Sequence, residues 1–135
     1  MASVLMLQRP IMGMDRMLTV SQRVGPQANC PNDAQDVEAV QRLLNLSARG
    51  LAARLGFALP QPSGRFDPVT GFCIFYIQWF SHKDNPPTIV DGVVSPATGA
   101  FYGRGPFVLT NLNQLARRED QAAWDNLLSR YPPSP

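Results

Sequence analysis

The sequence predicts a mainly α-helical chain folded as a single domain. Three observations carry that prediction. Apolar residues recur at helical spacing from Val37 to Leu44. An apolar stretch, GFCIFYIQWF, runs to Phe80 behind an Asp67-Pro68 start. Helical spacing then returns through Leu112, Leu115, Trp124, Leu127, Leu128 and Tyr131. With 135 residues, 44% hydrophobic and 16% charged, the chain has room for one modest core.

Taken in order, residues 1–23 read as an irregular arm, and breakers continue to residue 29. Pro10, Pro26 and the glycines interrupt it, and Leu18-Thr19-Val20 is suited to a short strand. Met1, Met6, Met12, Met14 and Met17 give it an adaptable apolar face, for packing on the domain or for holding a partner. Residues 24–113 form the domain proper. Its first helix is capped by Asn32 or Asp33, with Asp36 and Glu38 near the positive end, and buries Val37, Val40, Gln41 and Leu44. Gly50 and Gly56 weaken any continuation, and Pro60 and Pro62 end it. The second helix opens at Pro68 behind the Asp67 cap. It is apolar nearly all round, so burial at the centre is expected. A third starts behind Ser95-Pro96, and residues 114–135 form a C-terminal helix with a frayed Pro-Pro-Ser-Pro tail.

One phrase is written twice. Residues 64–72 read GRFDPVTGF and residues 92–101 read GVVSPATGAF. Each copy supplies a glycine for a turn, an apolar anchor (Phe66, Val94), a capping side chain, and a proline that presets the helix start.

These residues resemble the small three-helix peptidoglycan-binding domain found beside many cell-wall hydrolases. The resemblance rests on Val37-x-x-Val40-Gln41-x-Leu43-Leu44, on Gly64-x-Phe66-Asp67-Pro68-x-Thr70 running to Ile77-Gln78, and on Asp91-Gly92-Val93-Val94-Ser95-Pro96-x-Thr98. Val24-Gly25, Asn32 and Asp36 match one branch of that family, and Asn111-Leu112-Asn113 matches its closing Leu-Asn. The resemblance spans about residues 24–113. It implies a three-helix bundle with an N-terminal arm and an added C-terminal helix. It implies non-catalytic binding of a peptidoglycan glycan strand or stem peptide, with no cofactor, to locate an effector or hydrolase partner. The family's glycines before proline are replaced by Asp67 and Ser95, and Ser63 stands where the family has aspartate.

Charge and composition narrow the chemistry. The net charge of +2 comes from scattered arginines, so no nucleic-acid partner is expected. No apolar run is long enough to span a bilayer, so no membrane partner is expected. The apolar stretch Val4–Leu7 is cut by Gln8, Arg9 and Pro10, which predicts synthesis in the cytoplasm, with any export to the envelope signal-independent. Cys30 and Cys73 pair or stay free; with one histidine, a metal site is not expected. Catalysis is not expected either, because the only glutamates, Glu38 and Glu119, fall on amphipathic helices. The candidate ligand residues are Arg65, Tyr76, Trp79, His82, Asp91, Tyr102 and Arg104. The aromatics suit a sugar platform, or else the core. The arginines suit the carboxylates of a wall peptide, or else solvent. A protein-interaction adaptor, or an accessory of a secretion, phage or toxin system, that keeps the fold without the sugar site is the alternative function. The aromatic helix and Met-rich arm favour it.

Overall fold

The computed structural model describes residues 1–84, 90–97 and 108–135. Within them the chain is mainly helical with one small sheet. The expected irregular arm is instead a β-hairpin, β1 (Ser3–Ile11) and β2 (Met14–Thr19), paired antiparallel with Val4 opposite Leu18 and Leu5 opposite Met17. Its two-residue turn places Met12 at φ 51° and Gly13 at φ 79°, as a right-twisted hairpin requires. Asn-Gly is the usual signature there. Met-Gly hid the turn from the sequence.

The tail is not frayed. Val4 N donates to Pro132 O at 2.8 Å and Ser134 N donates to Val4 O at 2.8 Å. Residues 132–134 thus lie along the outer edge of β1, a position that tolerates their prolines.

Helix α1 (Ala34–Ser47) starts as expected, with the Asp33 carboxylate accepting from Gln35 N and Asp36 N. Asp36 itself is fully buried and accepts from Ser21 N, Ser21 Oγ and Gln22 N, fastening the segment that leaves the hairpin. The connector after α1 contains a short helix, α2 (Arg49–Leu55), stopped by Gly56 at φ 74°.

Helix α3 (Pro68–Asp84) begins as the Asp-Pro start predicts, the Asp67 carboxylate accepting from Thr70 N at 2.7 Å. Its expected central burial does not hold. Only one side, with Cys73, Ile74, Ile77 and Gln78, is covered; Phe72, Phe75 and Trp79 are about half exposed. A helix apolar all round carries no signal of which face the fold covers. Ser95, Pro96 and Ala97 are irregular, and the rest of the helix expected there lies outside the described residues.

The expected C-terminal helix is two: α4 (Val108–Glu119) and α5 (Gln121–Leu128). Asp120 separates them at φ −160°, and its carboxylate caps α5 by accepting from Ala123 N. The core lies where α1, α4, α5 and β2 meet, with Leu43, Leu44, Leu112, Trp124 and Met17 almost wholly buried.

Both cysteines are free and buried. Burial, with Asp67 nearby as a smaller cause, pushes the Cys73 thiol from 9.0 up to about 11. Its folded value lies above its unfolded one, so its contribution to stability is intact below pH 9 and fades as pH rises toward 11. Iodoacetamide at pH 8 should therefore label Cys73 far more slowly in the native protein than in urea. Equal rates would mean that the thiol is neither buried nor shifted.

Candidate functional site

Three helices repeat one device. Each carries apolar-x-x-apolar followed by a buried carboxamide: Val37/Val40/Gln41 in α1, Ile74/Ile77/Gln78 in α3 and Leu109/Leu112/Asn113 in α4. Gln41 Oε1 accepts from Gly64 N at 2.9 Å, while its Nε2 donates to Arg65 O at 2.9 Å and Thr70 Oγ1 at 3.0 Å. Gln78 Oε1 accepts from Gly92 N at 2.7 Å, and its Nε2 donates to Val93 O at 3.0 Å and Asp91 Oδ1 at 3.1 Å. Both turns need a glycine with positive φ, 77° at Gly64 and 75° at Gly92. The doubled phrase is therefore a turn clamped by a glutamine from an earlier helix, α1 for the first copy and α3 for the second. Asn113 does the same for the hairpin, bonding the N–H and C=O of Leu18.

Two surfaces offer themselves to a ligand. The first is the outer face of α3. Tyr76 sits at its centre, with ring centroids 5.6 Å from Phe72, 6.1 Å from Trp79, 4.9 Å from Phe80 and 5.3 Å from Phe57. Phe72 stacks on Tyr76 at 27° and the other three rings meet it tilted, offset geometries that aromatic quadrupoles favour. No charged side chain interrupts residues 68–81.

The second is a pocket of about 230 Å³ between α1, α5 and the approach to the first clamped turn. Leu46 and Leu127 give it an apolar floor, and Arg42, Asn45, Asn126 and Arg130 give it polar walls. Arg42 Nε donates to Glu38 at 3.3 Å, which leaves its terminal nitrogens for other partners. Asn45 Nδ2 donates to Gln41 O and Pro60 O, which fixes the amide plane at the rim. Near the pocket, burial and then the Glu38 charge raise the pKa of the Tyr131 phenol.

The structure scatters the sequence-predicted site. Arg65 is exposed on the first turn, held there by its backbone. Asp91 is exposed, but its carboxylate accepts from Val93 N and Gln78 Nε2, so it holds the turn. Tyr76 and Trp79 lie together in the aromatic face rather than in the core, and His82 is exposed at the C-terminal end of α3. Tyr102 and Arg104 lie outside the described residues. Sequence reasoning missed Arg42, Asn45, Asn126 and Arg130. Arg42 and Asn45, one and four residues after Gln41, carry no motif of their own, and their meeting with α5 is a tertiary event. Among the described residues no group of three or more His, Cys, Asp or Glu side chains is placed to hold a metal ion. Among them, too, no helix is long and apolar enough to cross a membrane. Comparison with family models, curated proteins and solved structures found no match.

Proposed function

We propose that this protein is a non-catalytic module that binds bacterial cell-wall peptidoglycan and carries a second surface for a protein partner. The observation that supports it most is the pair of glutamine-clamped turns, built from the residues on which the resemblance to peptidoglycan-binding domains rests. In this reading α1, α3 and α4 are the three helices of that unit. The hairpin, α2 and α5 are additions.

The ligand site in this reading is the pocket beside the first turn. A stem peptide brings carboxylates, and Arg42 and Arg130 offer guanidiniums from two different elements. The amides of Asn45 and Asn126 suit peptide or acetamido groups over the Leu46–Leu127 floor. Arg65 stands on the neighbouring turn as a further cation.

The test is co-sedimentation with purified sacculi. The wild type should pellet, and an Arg42→Ala/Arg130→Ala double variant should lose about 10- to 100-fold in affinity, the size expected for lost charge-assisted hydrogen bonds. Wild-type protein left in the supernatant at large sacculus excess would sink the wall-binding reading. The adaptor reading would then stand, supported by the charge-free, half-exposed aromatic face of α3.

A further inference from the structure

We propose that a third concavity, where the ends of α1 and α4 meet α2, binds a free dicarboxylic amino acid. The pocket measures about 550 Å³, within the range of small-molecule sites. Ser47 closes α1 at its edge, Arg54 comes from the last turn of α2, and Arg118 and Glu119 come from the last turn of α4. Half-buried Leu51 and Leu115 give it an apolar lining. It shares no residue with the pocket around Arg42 and Arg130, and the inference does not rest on wall binding.

Two independent observations point to a ligand there. Ser47 is only 8% exposed, and its Oγ has no hydrogen-bond partner among the described residues. A serine in a helix commonly gives its proton to the carbonyl one turn back. Ser47 does not, and a buried hydroxyl left without a partner is uncommon. The second observation is charge that converges without pairing. Arg16 and Arg42 each meet a carboxylate within the fold. Arg54, Arg118 and Glu119 share one pocket, yet among the described residues none of their side chains has an ion-pair or hydrogen-bond partner. A Cβ placed on Gly50 would meet one atom within 4 Å, Glu119 Oε2 at 3.8 Å. The carboxylate therefore lies against the α2 side of the pocket, beyond ion-pair distance of both guanidiniums.

The charges name the ligand class. Two guanidiniums and one carboxylate sum to +1. Aspartate and glutamate carry two carboxylates and one ammonium, sum to −1, and offer every group its opposite. Each arginine takes one carboxylate in the planar fork that guanidinium forms. Glu119 takes the ammonium. The Ser47 hydroxyl donates to a carboxylate oxygen, and the short aliphatic chain lies on Leu51 and Leu115. A phosphate or a plain dicarboxylate would meet Glu119 as a like charge. A neutral sugar would leave both arginines unanswered.

Amide chemical shifts of the isotope-labelled full chain, titrated with sodium glutamate and separately with sodium aspartate at constant ionic strength, test the site. Shifts should centre on residues 47–54 and 115–119 and saturate for at least one of the two with a Kd of roughly 0.1–10 mM. Glutarate, which lacks the ammonium, should bind about tenfold more weakly than glutamate. Arg54→Gln/Arg118→Gln, which changes exposed side chains only, should lose about 10- to 100-fold in affinity. Glu119→Gln should bring glutamate and glutarate to within about threefold of each other. Ser47→Ala should weaken binding about three- to tenfold without lowering the urea midpoint, because its hydroxyl holds nothing in the fold. A lowered midpoint would overturn the part given to Ser47. No saturable shift up to about 50 mM, or shifts that centre on Arg42 and Arg130 instead, would overturn the proposal. Equal affinity of the wild type for glutarate and glutamate would overturn the amino-acid assignment and leave an anion site.

Discussion

Asn113→Leu is expected to lower the unfolding free energy by about 3–5 kcal/mol, the largest effect of any single polar substitution discussed here. The reason is the number of buried groups that depend on one carboxamide. Asn113 is fully buried. Its Oδ1 accepts from Leu18 N at 2.9 Å and from Trp124 Nε1 at 3.1 Å. Its Nδ2 donates to Leu18 O at 3.0 Å and Leu109 O at 2.8 Å. Leucine matches the volume but pairs with none of them. Leu109 O still has its place in the helix, whereas the Leu18 N–H, the Leu18 C=O and the Trp124 indole N–H are stranded. Each stranded group costs about 1–3 kcal/mol, with some relaxation between them. β2, α4 and α5 meet at this one side chain, so the loss should appear as a lower urea midpoint of a single transition. A loss below about 1 kcal/mol would show that the network is not needed.

Gln41→Leu should cost about 2–4 kcal/mol, and Gln78→Leu less. Both variants strand a glycine N–H and a carbonyl in a turn whose positive φ the clamp holds in place. The ranking follows from how each turn is otherwise supported. In the second turn Val93 N still donates to the Asp91 carboxylate at 2.9 Å, a charged acceptor, where the first turn keeps only Arg65 N to the Ser63 hydroxyl at 3.2 Å. The first turn packs tightly against α1: a Cβ on Gly64 would stand 3.0 Å from Ala34 O. Water cannot readily replace Gln41 there. Denaturant titration of the two variants side by side checks the order, and a near-neutral Gln41→Leu would refute the clamp as a source of stability.

Much of this was legible in the residues themselves. Asp33 and Asp67-Pro68 announce helix starts through local chemistry, and both caps are found where the spacing puts them. The doubled Gly-to-Pro phrase marks two turns because glycine alone adopts their φ without strain. The apolar period of α1 names the buried stripe directly. The hairpin was not legible, since Met12 occupies a left-handed position that usually advertises itself with asparagine. Nor was the break at Asp120, because the apolar spacing runs on through it.

The sequence by itself determined helices α1 and α3, their capped starts and the two glycine turns. All of these follow from short-range sterics and hydrogen bonding. Tertiary structure decided which side of α3 is covered, that Asn113 reaches Leu18 in the hairpin, that residues 132–134 join the edge of β1, and that Arg42 and Arg130 share a pocket. Those outcomes depend on which distant elements arrive to bury a face or pair a backbone edge, and no local pattern encodes that arrival.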